Sequence, residues 1–207
     1  MVDGDSRRSE QESFFRRNAP PSLLRAMLRV IFDGCIAAYN ETRAGVASGF
    51  FKDAIPTARR VKVEAGLSGL VRLPPGFTIS LFPTTTTNYT EIRSPQIVIT
   101  AVSRSRRVQS VGRARYREML ARPAQLSLLE PDRPFDPANG VYGLLVYGGP
   151  LRQRVPSVAM IAFPTADGNF LPSRISLIQE FPEIVQSYTV RESSGFGRGS
   201  AEEGEQG

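Results

Sequence analysis

At Leu73-Pro74-Pro75-Gly76 the hydrophobic pattern of this chain changes period, and that change limits the folds open to it. Upstream, Leu24, Met27, Leu28, Ile31, Cys35 and Tyr39 recur at the spacing of one helix face, while Arg25, Arg29, Asp33 and Asn40 fall on other faces. The spacing predicts an amphipathic helix over 22–44, with Ser22 as N-cap and Gly45 as its stop. Gly34 in its middle costs about 1 kcal/mol of helix propensity and marks close packing. Ala58, Val61, Ala65 and Leu67 predict a second helix from Thr57 to Leu70, with Phe50, Phe51 and Pro56 in the linker before it.

Downstream the period is two. Phe77–Phe82, Tyr89–Arg93 and Gln96–Val102 read as three strands of a meander. Ser110 is placed to cap a short helix over 112–121, which Pro123 ends. A Pro- and Asp-rich loop follows over 123–139. Val141–Tyr147, Val155–Phe163 and Phe170–Ile178 read as three more strands, with Asp167-Gly168 as a hairpin turn and a closing helix over 180–188.

Strands that do not alternate with long helices argue against a parallel, doubly wound sheet. The expected fold is α+β: a mainly antiparallel sheet of about five to six strands, with the N-terminal amphipathic helix and short helices on one face. The expected organisation is a flexible leader over 1–18, a single domain over 19–189 and a disordered Gly/Ser/Glu tail over 190–207.

Composition excludes several chemistries. The 207 residues include no histidine and one cysteine, Cys35. Catalysis through Ser-His-Asp or Cys-His, His-ligated zinc, Cys-rich metal sites and an intramolecular disulfide are therefore ruled out. No apolar run approaches the 18 residues of a membrane span, and the polar, acid-containing start is not a signal peptide. A cytoplasmic, bacterial chain with no cofactor and no membrane partner is the expectation. Cys35, on the apolar stripe of the first helix, reads as a small core residue.

The charge is the most informative feature. Lysine and arginine total 26 against 20 acids, a net +6, and all but Lys52 and Lys62 of the bases are arginine, as a GC-rich genome gives. Residues 103–122 hold Arg104, Arg106, Arg107, Arg113, Arg115, Arg117 and Arg122 against Glu118 alone, so the whole excess maps to this segment. Guanidinium groups pair with phosphates and carboxylates, and Tyr116 among them offers a ring for a base to stack on. The ordinary alternative is a solvated face with local ion pairs.

Three further candidates are thinner. Glu91, on a strand beside Tyr89 and Arg93, has the chemistry of a general base or metal ligand; an outward-facing strand residue paired across the sheet is the simpler reading. Glu130, Asp132, Asp136 and Asn139 offer oxygens to calcium but lack EF-hand spacing and are broken by prolines. Gly195-Phe-Gly-Arg-Gly199 reads as linker.

The expected function is a non-enzymatic binding module that engages nucleic acid or another anionic partner through Arg104, Arg106, Arg107, Arg113, Arg115, Tyr116 and Arg117. The alternatives are a protein-interaction module or accessory subunit, homodimeric or with a protein partner, using the apolar strands over 141–163, and a metal- or carboxylate-dependent enzyme with Glu91 as general base.

Overall fold

The computed structural model describes residues 4–83, 88–104, 120, 138, 140–164 and 170–195. Helix α1 spans Gly4–Asn18, α2 Pro21–Gly45 and α3 Phe51–Ser68, with a single 3-10 turn, Ser48–Phe50, before α3. Strands β1 (Thr78–Pro83), β2 (Asn88–Arg93) and β3 (Ile97–Arg104) follow, then β4 (Val141–Gly148), β5 (Val158–Pro164) and β6 (Phe170–Ser176). Two helices close the described chain, α4 (Leu177–Glu180) and α5 (Pro182–Gly195).

The six strands form one sheet in sequence order, and every neighbouring pair is antiparallel except β3–β4. The α+β expectation holds, with one parallel pair added. There Ile97 lies opposite Val141 and Arg104 opposite Gly148. Parallel neighbours need a long crossover, and residues 105–140 supply its length.

Hydrophobic alternation assigns the two faces. Ile97, Ile99 and Ala101 of β3, with Val141, Leu145 and Tyr147 of β4, join the core under the helices. Tyr142, Leu144 and Val146 point the other way and pack with Val98, Met160 and Leu120. All eight residues of β4 are buried. Within the apolar run over 141–163, β4 is therefore covered on both faces, while Val158 and Met160 of β5 stay partly exposed.

Several boundaries differ from the sequence expectation, each for a physical reason. The segment expected as a loose leader is helical from Gly4 and packs through Gln11, Phe14 and Phe15, with Phe15 edge-on to Phe163 at 5.6 Å between ring centres. A narrow stripe in polar surroundings was enough. Pro20 occupies the N-cap of α2 and makes no side-chain bond, so Ser22 does not cap. Pro56 lies inside α3, not in a linker, which begins at Phe51. It denies the Lys52 carbonyl its helical partner while the rest of the helix continues. The closing helix divides at Phe181 and runs on to Gly195. The expected helix over 112–121, apart from Leu120, lies outside the described residues, as do 165–169 and 196–207. Among the described residues no helix is long and apolar enough to cross a membrane.

Helices α2 and α3 touch backbone to side chain. A Cβ on Gly34 would sit 2.7 Å from Val63 Cγ2 and 3.1 Å from the Val63 backbone nitrogen; one on Gly66 would sit 2.6 Å from Val30 Cγ1. The contact is reciprocal, a glycine on each helix receiving a valine of the other. Further along α3, the Glu64 carboxylate accepts the Thr90 backbone N–H at 2.7 Å and anchors the helix to β2. Burial pushes the Glu64 carboxyl up, partly opposed by its bonds from Thr90.

Two predictions follow for stability. Gly34→Ala should destabilise by about 1–3 kcal/mol in urea unfolding, because backbone atoms cannot yield as a side-chain methyl can. Adding Val63→Ala should return part of the loss, which additive effects would contradict. A carboxyl raised on folding stabilises most when protonated and loses that contribution as pH climbs through its folded value. Glu64→Gln should therefore gain on the wild type in moving from acid to neutral pH; a constant difference across that range would refute the assignment.

Candidate functional site

Of the arginine segment, the described residues include Arg104 alone, which ends β3. Arg106, Arg107, Arg113, Arg115, Tyr116 and Arg117 lie outside them, as do Arg122 and the loop oxygens of Glu130, Asp132, Asp136 and Asn139. Glu91 is described and is not outward-facing. It is 4% exposed, on the sheet face away from the helices, opposite Thr100. Arg93 donates to it at 2.6 Å along the same strand, so its partner is not across the sheet. On the same face the Thr100 and Tyr142 hydroxyls share a hydrogen bond of 2.7 Å. Among the described residues no three carboxylate or thiol groups come together as a metal site would need.

A cleft that the sequence reading missed opens where α2 ends, α3 begins and β4 turns into β5. Tyr39 and Arg43 sit one turn apart on α2, so both point from the same face of its end. Phe51 and Lys52 open α3, and the Tyr39 and Phe51 rings meet edge to face at 5.5 Å. Pro150, Leu151 and Arg152 come from the loop after β4. The cleft encloses about 740 Å³. Its charged lining is Arg43, Lys52 and Arg152, with no acid among the described residues that line it.

Glycine makes the loop possible. Gly148 and Gly149 have φ of +136° and +146°, a conformation that side chains disfavour, and a Cβ on Gly148 would lie 2.0 Å from the Arg104 carbonyl oxygen. That closeness lets Gly149 N–H donate to the same oxygen at 3.1 Å and ties the end of β4 to the end of β3.

Arg59 holds the loop from the other side. It reaches from α3, is 1% exposed, and donates to the carbonyls of Gly149 at 3.2 Å, Pro150 at 3.3 Å and Gln153. Its Nε has no partner, and no carboxylate pairs with it among the described residues. Burial lowers its pKa. Arg152, at the cleft rim, is positioned by a loop that a buried guanidinium clamps.

The distribution of ion pairs sets this end of the molecule apart. Arg16 pairs with Glu12 and Glu180, Arg25 with Glu183, Lys62 with Glu41 and Arg93 with Glu91. Arg43, Lys52 and Arg152 form no such pair among the described residues. The three cations come from elements remote in sequence: Arg43 and Lys52 each have an acid within two residues, and Arg152 shares an acid-free loop with Arg154. Only the Gly148-Gly149-Pro150 turn after an apolar strand signalled the place.

No protein family, no curated protein and no solved structure matches this chain.

Cys35 lies fully buried near Arg59, and burial pushes its thiol up to about 11 although the guanidinium pulls the other way. A thiol reagent at neutral pH should leave the native protein unlabelled and modify it only in denaturant. Fast labelling of the native protein would contradict this placement.

Proposed function

We propose that this protein binds single-stranded nucleic acid through the cationic cleft. The observation that carries the reading is a lining of three cations and two aromatic rings with, among the described residues, no ion pair and no acid. Backbone phosphates suit Arg43, Lys52 and Arg152, and unstacked bases suit Tyr39 and Phe51. A cleft of about 740 Å³ accepts individual nucleotides and is too small for a duplex. The chain leaves β3 at Arg104, beside this end, and Arg106, Arg107, Arg113, Arg115 and Arg117 follow in sequence. In this reading they add further phosphate contacts. The protein acts as a binding module of the cytoplasm and not as an enzyme. Glu91, on the opposite side of the sheet and ion-paired, has no part in it.

A second reading, an accessory subunit with a protein partner, draws support from β1 and not from 141–163. This edge strand carries no charged residue and exposes Leu81 and Phe82, which suits pairing with another strand.

Fluorescence anisotropy with a labelled single-stranded oligonucleotide tests the first reading. Three phosphate contacts predict a log–log salt slope of about −2, steeper by about 0.7 for each arginine of 104–117 that also engages. Replacing Arg43, Lys52 and Arg152 together by alanine should weaken binding at least about tenfold and flatten the slope by about 2. Absence of binding at low salt, or binding indifferent to the triple replacement, would exclude the cleft.

A further inference from the structure

Behind the cleft lies a smaller cavity of about 180 Å³, lined by Pro56, Arg59, Ser103, Arg104 and Leu151. Leu151 borders both spaces. The small cavity sits at the carboxyl ends of the parallel pair β3–β4, the position at which α/β sheets gather ligands. Two of its five lining side chains are guanidinium groups, a third is a hydroxyl, and none is acidic.

Arg59 is the reason to read this as a site. A buried cation is costly unless a negative group answers it. Three carbonyl oxygens meet its terminal nitrogens, but carbonyl dipoles leave the net charge in place. Cys35 and Tyr147, which lie near it, are both held neutral by burial and supply no countercharge. Its Nε, without a partner among the described residues, is an additional donor. A compact oxyanion would supply both the missing charge and the missing acceptor. The volume of about 180 Å³ is enough for a tetrahedral anion.

We infer that this inner cavity receives a phosphate monoester, the terminal phosphate of the strand lying in the outer cleft, with Arg59, Arg104 and Ser103 as its donors. The identity of the strand rests on the proposed function; the phosphate chemistry of the cavity does not. Inorganic phosphate shares that chemistry and competes for the same place.

The test uses the full chain and three oligonucleotides of one sequence, carrying a 5′-phosphate, a 3′-phosphate or neither, together with inorganic phosphate at fixed ionic strength. One phosphorylated end should bind about tenfold or more tighter than the unphosphorylated strand, the gain expected of charge-assisted hydrogen bonds. Millimolar phosphate should erase that advantage and raise the Tm of the free protein. Ser103→Val narrows the cavity on a strand that accepts valine. It should remove the preference and leave unphosphorylated binding unchanged. Arg59→Lys should also remove the preference if it folds; because Arg59 clamps the loop that carries Arg152, its unphosphorylated binding does not enter the test, and the wild-type comparison needs neither variant.

Equal affinity for all three strands with no effect of phosphate on Tm would overturn the inference, while salt-dependent binding in that experiment would leave the outer cleft standing. A phosphate-induced Tm shift abolished by Ser103→Val, with no oligonucleotide bound, would support the cavity as a site for free phosphate and reject the nucleic-acid reading.

Discussion

The reciprocal contact between α2 and α3 is the constraint on which the rest of the structure depends. Gly34 against Val63 and Gly66 against Val30 let the two helices lie closer than ordinary side chains permit. Three consequences follow from that one approach. Arg59, one turn before Val63, reaches the carbonyls after β4. Glu64, directly after Val63, meets the Thr90 N–H of β2. Tyr39 and Phe51, where the helices join, come into ring contact and form a wall of the cleft. A wider separation would move all three together, because α3 is a single rigid element.

The sheet supplies the second half of the geometry. Antiparallel neighbours present opposite strand ends at each edge, whereas the parallel pair β3–β4 brings two carboxyl ends side by side. The Gly149 N–H bond to the Arg104 carbonyl fastens those ends, and Gly148 allows the backbones to approach. Both cavities then lie where helix α3 crosses the fastened ends. The position of the site is set by topology, and its charge by the side chains that topology happens to gather.

The periodic parts of this fold were legible in the sequence, because burial of one face imposes a repeat. The α2 stripe and the six strands all lie close to where hydrophobic spacing places them. What escaped notice had a weak or misleading local signal. Helix α1 buries Gln11, Phe14 and Phe15 in an otherwise polar segment. Pro56 reads as a helix breaker, and tertiary packing overrides its cost. The parallel pairing of β3 and β4 depends on the path of a long connection, which no local pattern encodes. Glu91 was readable as a strand residue but not as a buried one, since its companion Arg93 satisfies it along the strand. The site was the least legible element. Arg43 and Lys52 stand beside acids in sequence and Arg152 has only Arg154 near it, so no charge run marks them as one marks 103–122.

Charge balance connects the stability of the molecule to its use. Around the start of α2 the arginines have partners: Arg16 with Glu12 and Glu180, Arg25 with Glu183. Toward the other end of the same helix, about 27 Å along its axis from Arg25, Arg43 faces Lys52 and Arg152 across a cleft with no acid among the described residues. Exposed ion pairs contribute little each, so the paired end gains only modestly. The unpaired end carries a cost of mutual repulsion, and the buried Arg59 adds a desolvation cost beside it. Nothing in the packing of α2 or α3 requires that arrangement: Arg43, Lys52 and Arg152 are exposed, and a neutral residue at each would leave the core unchanged. An anion bound there would relieve both costs at once and stabilise the folded state through linkage. The same unfavourable electrostatics that a purely structural reading leaves without purpose are what a phosphate ligand would convert into affinity.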